Sequence, residues 1–243
     1  MKGSAYSALA SYYARITGTD YEGAQKYLLS ALKTHGAGLK GLDLGCGQGQ
    51  TLRALSQAGY RMTGVDLSQE MLTVAQNRCA NYPVSFFLQD IAALRLPERD
   101  DFMTAVTDGF NYIPPKKAAA ALKKMAAHLT AGGLLYLDLS SAYKLREILG
   151  NNLFGEDDED LSYLWFNRLQ EDRVEMDLSF FFRQADGKFI KKEESHVQYV
   201  YETEFLTQLL TQAGFTILSL TGKNGQPYGE TSDRVQILAK LTK

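Results

Sequence analysis

The segment LDLGCGQGQ, residues 42–50, decides the fold class of this chain. A short apolar run leads into three glycines at alternate positions, Gly45, Gly47 and Gly49. Glycine has no Cβ, so such a loop can turn sharply and approach a ligand closely. In an open parallel sheet, the turn after the first strand lies at the edge where ligands bind. The segment therefore predicts a ligand-binding turn between a strand and a helix.

The spacing of these glycines separates the loop from two common phosphate-binding loops. The dinucleotide fingerprint is G-x-G-x-x-G, whereas the third glycine here comes one residue earlier. A Walker loop needs a Gly-Lys-Ser/Thr sequence, and none follows. An acidic residue, Asp43, also stands two positions before the first glycine. The pattern disfavours a nicotinamide-dependent oxidoreductase and excludes a Walker-type NTPase.

Strands and helices alternate on both sides of the loop. Residues 4–34 have the apolar spacing of two helices. Strands are predicted at 38–45, 60–67, 84–90, 102–109 and 134–140, and helices at 51–59, 68–79 and 116–130, the last with a glycine just beyond its end. A helix at 202–214 and two strands at 216–222 and 234–242 close the chain. This alternation predicts a parallel sheet with helices on both faces.

The segment from about residue 143 to residue 201 breaks the alternation. It is charged, aromatic and alternating, with a hairpin turn signal DGK at 186–188, and it predicts an inserted antiparallel unit. The acidic run at 155–160 is typical of a solvated loop. Trp165 and the FFF run at 180–182 favour the core of this unit, with a stacking surface for a flat ligand as the alternative.

Four predicted strands each end with an aspartate: Asp43, Asp66, Asp90 and Asp108. Any single one of these aspartates is explained equally well by a structural role, in which its side chain caps the following helix. Together, they place four carboxylates on one edge of the sheet. A carboxylate at the end of the second strand can accept hydrogen bonds from both hydroxyls of a ribose. The set suits a ligand that has hydroxyls, an exocyclic amine and a positive charge.

With these features in place, the chain resembles the class I S-adenosylmethionine-dependent methyltransferases. The resemblance rests on LDLGCGQG, GVDLSQEML, FLQDI, TDGFNYI and AGGLLYLDLS, and it covers nearly the whole chain. It extends to a Gram-positive bacterial branch of unknown substrate that has an E-x-H-x-Q-x-x-Y pattern, here Glu194, His196, Gln198 and Tyr201. This sequence departs from that branch at Ala14, Gly109 and Phe110, which puts transfer of a substrate from relatives in doubt.

The resemblance implies an α/β fold with a Rossmann-like, seven-stranded, mostly parallel sheet and an antiparallel final hairpin. It implies an N-terminal helical lid at 1–35, a cofactor-binding core at 36–142 and 202–243, and a β-rich subdomain at 143–201 over the acceptor.

The resemblance also implies a cofactor, S-adenosylmethionine, and a role for each site residue. The loop Gly45, Cys46, Gly47 and Gly49 would face the methionine moiety, with Asp43 near its amino group. Asp66 would bind the ribose, and Leu67 and Met71 would flank the adenine. Asp90 and Ile91 would hold the adenine edge, and Asp108 would lie near the sulfonium. Tyr13 would contact the cofactor from the lid.

Methyl transfer from a sulfonium mainly requires alignment of the reacting atoms and exclusion of water. A general base is needed only where the acceptor must lose a proton. The family often has no fixed catalytic residue. The candidates here are Asp108 and His196, for which a purely structural role is the alternative.

The composition limits the partners. The formal net charge is −2, which does not favour nucleic acid because phosphate contacts require clustered Lys and Arg. Cys46 and Cys79 lack metal-ligand spacing, so we expect no metal site and a reducing, cytoplasmic compartment. We expect no membrane span, since no apolar run reaches about 18 residues. A small-molecule acceptor is expected; the alternatives are an RNA or protein methyltransferase and a cofactor-binding module without catalysis.

Overall fold

The computed structural model describes residues 20–242, and its first half builds most of one large sheet. The strands are β1 (Lys40–Leu44), β2 (Arg61–Asp66), β3 (Ser85–Leu88), β4 (Asp100–Ala105) and β5 (Leu129–Ser140). The helices between them are α1 (Tyr21–Thr34), α2 (Gln50–Gln57), α3 (Gln69–Arg78) and α4 (Pro115–His128). These five strands run parallel to one another. The βαβ alternation of the sequence is thus confirmed.

A second, antiparallel sheet follows β5. A π-helical turn at Lys144–Leu149 leads into β6 (Leu153–Asp157), β7 (Leu161–Leu169), β8 (Arg173–Arg183) and β9 (Phe189–Tyr199), which pair in that order. Gly187 has φ +80° in the turn between β8 and β9, where the DGK signal predicts a hairpin. The predicted solvated loop at 155–160 is wrong in part, because residues 155–157 pair with β7.

The chain then returns to the large sheet. Helix α5 (Thr203–Gln212) precedes β10 (Phe215–Thr221) and β11 (Arg234–Leu241). Strand β11 inserts antiparallel between β5 and β10, which gives the order β10-β11-β5-β4-β1-β2-β3. The predicted fold class, a seven-stranded mostly parallel sheet with an antiparallel final pair, is therefore confirmed.

Apolar side chains fill both faces of the large sheet. One face packs against α4 and α5 through residues such as Leu122, Met125 and Leu206. The other packs against α1 and α2, where Leu28 and Leu32 are buried together with Leu52. A third cluster, which includes Leu145 and Phe180, joins the π-helical turn to the antiparallel sheet. The described part of the predicted lid, residues 20–35, thus contributes side chains to the core.

Three predicted boundaries are wrong. Strand β3 ends at Leu88 and β4 at Ala105, two or three residues before the aspartates that the sequence pattern places at their ends. Helix α4 ends at His128, and Leu129 already begins β5. Gly133 therefore does not follow a helix cap. It allows close backbone packing instead, since a Cβ there would lie 3.0 Å from the Asp101 carbonyl oxygen.

Between residues 20 and 242, no helix combines the length and the apolar character that a membrane crossing requires.

Candidate functional site

The loop between β1 and α2 adopts a conformation that depends on glycine. Gly45, Gly47 and Gly49 have φ of +68°, +52° and +76°. These values lie in the left-handed region that side chains disfavour. The N–H groups of Gly45 and Cys46 donate to the Val65 carbonyl oxygen at 2.8 and 3.0 Å. A Cβ on Gly49 would lie 3.0 Å from the Ala75 Cβ, so this glycine also lets α2 approach α3.

A cavity of about 360 Å³ lies against this loop. Its walls come from the loop itself, the end of β2, the turn after β3 and the segment after β4. Its lining includes Tyr21, Gly45, Cys46, Gly47, Gln48, Thr51, Asp66, Leu67, Met71, Asp90, Ile91, Val106, Thr107, Gly109 and Tyr112. We call this the loop cavity.

Asp66 ends β2 and fixes the shape of the loop cavity. Its two carboxylate oxygens accept hydrogen bonds from the backbone N–H groups of Gly47 at 2.8 Å and Ser68 at 2.9 Å. Burial raises the pKa of Asp66, and the hydrogen bonds from Ser68 and Gly47 oppose that shift. The carboxylate is thus held between the glycine loop and the start of α3, and it lines the loop cavity.

Asp43 lies beneath the glycine loop and is completely buried. One carboxylate oxygen accepts a hydrogen bond from the Thr104 hydroxyl at 2.7 Å, and the other has no hydrogen-bond partner among residues 20–242. Burial raises the pKa of Asp43 to about 7, although the Thr104 hydrogen bond lowers it. An unpaired buried carboxylate oxygen is costly unless it is protonated or meets a donor.

The far end of the loop cavity combines apolar surface with one carboxylate. Met71 is buried, whereas Leu67 is 70% exposed. Asp90 caps a short 3₁₀ helix (Ile91–Ala93), since its carboxylate accepts from the Ala92 N–H at 2.8 Å. A second carboxylate oxygen remains at this end, beside the apolar Ile91. Such a surface suits a flat ring with an exocyclic amine.

Asp108 has a different environment from the other three aspartates. It has φ +69° and receives hydrogen bonds from the Ser140 hydroxyl at 2.9 Å and from the Arg234 guanidinium at 2.5 Å. The same guanidinium lies 2.9 Å from an Asp138 carboxylate oxygen. Burial alone would raise the pKa of Asp108, but the positive charges of Arg234 and Lys144 outweigh it and lower that pKa.

A second cavity, of about 380 Å³, adjoins the loop cavity. We call it the outer cavity. Helix α1, the π-helical turn, β7 and the end of the large sheet line it, with Leu28, Asp108, Tyr136, Asp138, Lys144, Leu149, Trp165, Asp233 and Arg234 among its residues. Four residues line both cavities and form a shared wall: Tyr21, Thr51, Val106 and Thr107. Thr107 has φ +52°. That conformation costs energy for a β-branched residue.

His196 lies on the inward face of β9 and is buried next to Glu194. The His196 Nε2 lies 3.2 Å from the Glu194 carboxylate, and the Nδ1 lies 3.4 Å from the Tyr112 hydroxyl. Tyr201, the last residue of the same sequence pattern, donates to the Ile113 carbonyl oxygen at 2.6 Å. Two residues of this sequence pattern, His196 and Tyr201, therefore connect β9 and the residues after it to the segment that follows β4.

The structure brings together eight of the predicted cofactor residues in the loop cavity: Gly45, Cys46, Gly47, Asp66, Leu67, Met71, Asp90 and Ile91. Asp43 and Gly49 line neither cavity, and Asp108 lines the outer cavity. His196 lines neither cavity but contacts Tyr112, which does. Tyr13 lies outside the described residues. The specific contacts of these residues with a cofactor stay predictions.

Sequence reasoning missed several residues of the site. The largest omissions are Thr107, Tyr112, Asp138 and Arg234, together with Tyr21 of α1. Tyr112 had a signal, because it belongs to the segment after β4 that the family pattern marks. Arg234 and Asp138 had none, since their pairing depends on the insertion of β11 beside β5.

Both cysteines are buried free thiols, and burial raises the pKa of the Cys46 thiol well above its ordinary value. Within residues 20–242, no group of three His, Cys, Asp or Glu side chains could hold a metal ion.

Comparisons with known proteins agree with this geometry. A family model described as "Methyltransferase domain" matches residues 42–133, from the glycine loop to the start of β5. A Geobacillus sp. (strain WCH70) protein named "Putative methyltransferase" is 34% identical over 180 residues, which cover 72% of this chain and 73% of that protein.

Solved structures extend the likeness to the whole chain. An S-adenosylmethionine-dependent methyltransferase from Clostridium acetobutylicum ATCC 824 superposes with a TM-score of 0.91 at 29% identity, covering 98% of this chain and 99% of that one. CalS10 from Micromonospora echinaspora, an amino pentose methyltransferase with S-adenosylmethionine bound, has a TM-score of 0.76 at 18% identity over the full length of both chains, which shows a shared fold. The glycine loop, the strand order and these relatives together show that the chain belongs to the class I S-adenosylmethionine-dependent methyltransferases.

Proposed function

We propose that the loop cavity binds S-adenosylmethionine and that the outer cavity binds a small-molecule methyl acceptor. The observation that carries this proposal is the wall shared by the two cavities, formed by Tyr21, Thr51, Val106 and Thr107. A ligand in one cavity can meet a ligand in the other only along this wall. Methyl transfer requires such a meeting of donor and acceptor.

The residues of the loop cavity fit the chemical groups of this cofactor. Asp66 offers carboxylate lone pairs to two ribose hydroxyls, while its bonds to Gly47 and Ser68 keep it in place. The unpaired oxygen of Asp43 suits the cofactor's ammonium group, directly or through a water. Apart from Gly47 and its two chain neighbours, no described atom lies within 4 Å of where a Gly47 Cβ would be, so the space above the loop is open to a ligand. When bound, S-adenosylmethionine supplies a methyl group on a positively charged sulfur.

The task of the protein chain is then to align the reactants and to exclude water. Alignment of the reactants can lower the activation barrier by several kcal/mol. In well-oriented intramolecular reactions the reduction reaches roughly 7–11 kcal/mol. The buried network of Arg234, Asp108 and Asp138 extends to Thr107, because the Asp138 carboxylate also accepts from the Thr107 N–H at 3.4 Å. The shape of this wall would set the direction along which the acceptor approaches.

Three features support a small-molecule acceptor. The outer cavity has the volume of a small-ligand site, which typically measures about 300–1,000 Å³. The inserted segment closes it with Lys144, Leu149 and Trp165, and helix α1 closes it with Ala24 and Leu28. This arrangement also supports the proposed division into an N-terminal lid, a core and a β subdomain over the acceptor. The fold is shared with CalS10, which acts on an amino pentose.

Two other functions remain as alternatives with less support. A net charge of −2 weighs against an RNA acceptor. A cofactor-binding module without catalysis would have no use for a second cavity that shares a wall with the first.

Calorimetric titration tests the cofactor assignment directly. The purified protein is titrated with S-adenosylmethionine and S-adenosylhomocysteine, with NAD as the matched control. We expect micromolar binding of the two sulfur compounds and no binding of NAD. Binding of NAD alone, or of none of the three, would refute the assignment. Release of S-adenosylhomocysteine in a screen of small amines, alcohols and phenols then tests transfer, and activity confined to RNA or protein acceptors would refute the small-molecule proposal.

A further inference from the structure

We propose that the methyl acceptor carries an anionic oxygen group, a carboxylate or a phosphate, that binds to the Lys144 ammonium, with Trp165 and Tyr136 as hydrogen-bond donors to the same molecule. The proposal rests on the proposed function and deepens it, because it names the chemical class of the acceptor in the outer cavity. The three side chains belong to three elements that meet at this cavity: the π-helical turn, β7 and β5.

Lys144 places a positive charge on the wall of the outer cavity. It begins the π-helical turn, where its backbone N–H donates to the Ser141 hydroxyl at 3.0 Å. The side chain is half-buried, and its ammonium group forms no hydrogen bond or ion pair with residues 20–242. A ligand that fills the cavity displaces water from the ammonium group, which is strongly unfavourable unless the charge is paired. An acceptor with an anionic group supplies that pair.

The aspartates that line the outer cavity do not pair with this ammonium group. Asp108 and Asp138 share the Arg234 guanidinium. Asp20 is exposed and caps the start of α1. Lys144 attracts Asp108 over a longer distance than that of an ion pair. The short-range partner of Lys144 is therefore left to the ligand.

The segment between β10 and β11 adds one charge of each sign to the cavity wall. Lys223 is exposed, and Asp233 is half-buried. Because these charges are opposite, their effects on an anion elsewhere in the cavity largely cancel. Arg234 is already paired with two aspartates. Lys144 is thus the half-buried cation of the cavity that has no partner among the described residues.

Trp165 adds a hydrogen-bond donor to the same cavity. Its ring packs against Phe154 at a centroid distance of 5.7 Å. The Trp165 Nε1 is buried and has no hydrogen-bond partner within residues 20–242. An indole N–H can only donate, and a buried donor without a partner is unfavourable. An oxygen atom of a ligand beside Trp165 would remove this deficit.

Tyr136 supplies a second donor from the large sheet. It is 2% exposed and lines the outer cavity. Its hydroxyl forms no hydrogen bond with the described part of the chain, whereas a buried tyrosine hydroxyl usually has a partner. Burial raises the pKa of this hydroxyl well above its ordinary value, so it stays protonated and can donate at neutral pH. One cation and two donors without partners therefore indicate an oxygen-rich, negatively charged ligand.

The fluorescence of Trp165 tests this proposal without a known acceptor, because it is the single tryptophan of the chain. The loop cavity is first filled with S-adenosylhomocysteine, and calorimetry measures that binding. The protein is then titrated with benzoate and phenyl phosphate as the anionic probes. Benzamide, which has nearly the shape of benzoate but no charge, is the control. The apolar Leu28 and Leu149 of the cavity wall suit the ring that the three compounds share.

We expect at least one anion to bind about tenfold or more tightly than benzamide, the factor that one hydrogen bond to a charged group contributes. Lys144→Gln should lose this preference. Lys188→Gln, which removes a lysine from the exposed turn between β8 and β9, is the matched control and should keep it. Tyr136→Phe should weaken binding of the preferred anion by a smaller factor. A preference for benzoate assigns a carboxylate to the acceptor, and a preference for phenyl phosphate assigns a phosphate.

Equal affinities for the anions and benzamide in the wild type would overturn the proposal, as would no fluorescence response to any of the three. A preference that persists in Lys144→Gln would overturn it too, since a purely structural lysine changes stability and not this preference. The wild-type comparison needs no variant, so it decides the matter even if Lys144→Gln does not fold. Failure of S-adenosylhomocysteine to bind would instead overturn the proposed cofactor site, whereas its binding without an anion preference overturns the anion site alone.

Discussion

Arg234 and Asp108 lie 126 residues apart in the chain and form a buried ion pair where β11 meets the segment after β4. The Arg234 side chain is 12% exposed and that of Asp108 15%. Asp138 on β5 takes the second edge of the guanidinium. One arginine thus neutralises two carboxylates beside the wall that separates the two cavities.

Arg234→Met should destabilise the protein strongly. It removes the main counter-charge of two buried carboxylates, and removal of one partner of a buried ion pair typically costs about 3–5 kcal/mol. Urea denaturation measures the loss in the free energy of unfolding. The matched control is Arg183→Met, which breaks the exposed pair with Glu159 and should cost little. Adding Asp108→Asn to Arg234→Met should recover part of the stability; a double variant no better than the single one would argue against charge burial as the cause.

The same pair sets a dependence of stability on pH. The pKa of Asp108 is lowered in the folded protein from its ordinary value of 3.8. The stabilisation that ionised Asp108 gives to the folded state is therefore fully present above the pKa of this residue in the unfolded chain. It is lost as the pH falls through the pKa of Asp108 in the folded protein. We expect wild-type stability to fall more steeply below about pH 4 than that of Asp108→Asn. Denaturation at pH 3, 4 and 6 measures this, and parallel curves for the two proteins would contradict it.

Asp66→Ala should weaken S-adenosylmethionine binding by roughly 30- to 150-fold, since hydrogen bonds to a charged group contribute about 2–3 kcal/mol. It also removes the acceptors that hold Gly47 and Ser68. Calorimetric titration measures the effect. Asp186→Ala, in the exposed turn between β8 and β9, is the control and should bind as the wild type does. An unchanged affinity in Asp66→Ala would remove the ribose assignment.

The sequence predicts the parts of this site that depend on local backbone. The glycine loop and the position of Asp66 follow from one strand and one turn, and the strand alternation places them on one edge of the sheet. The pattern assigns Asp90 and Asp108 to strand ends as well, but β3 and β4 end earlier. The Asp90 carboxylate caps a 3₁₀ helix, and the Asp108 carboxylate joins an ion-pair network. The spacing of apolar residues in the sequence does not predict either contact.

Long-range contacts were beyond prediction from the sequence. The role of Arg234 depends on β11 entering the sheet antiparallel beside β5, so that Arg234 pairs with Ser140 in the register. The link between His196 and Tyr112 depends on β9 lying over the segment after β4. In both cases the sequence shows a residue that can form the contact. It does not show which residue is its partner, because the position of that partner is set by the packing of distant strands.

Gly49→Ala should be more destabilising than Gly36→Ala, although both positions have a positive φ, of +76° and +67°. The left-handed conformation alone costs an alanine about 1–2 kcal/mol. A Cβ at position 36 would meet no described atom within 4 Å beyond its chain neighbours, whereas at position 49 it would press on the Ala75 Cβ at 3.0 Å. Thermal denaturation compares the two variants. Equal losses would show that α3 can move away from the loop without cost.

The affinity for S-adenosylmethionine should depend on pH through Asp43. Its pKa of about 7 means that the carboxylate is mostly protonated at pH 6 and mostly ionised at pH 8. Only the ionised form can pair with the cofactor's ammonium group, so binding should weaken about tenfold as pH falls from 8 to 6. Titration in buffers of different ionisation enthalpy should also show proton release on binding near pH 7. The Asp43→Asn side chain has the same shape as aspartate but cannot ionise. We expect this variant to bind S-adenosylmethionine more weakly than the wild type at pH 8 and with the same affinity at pH 6 and pH 8. A wild-type affinity that does not change over this range would mean that the orphaned oxygen of Asp43 does not face the ammonium group.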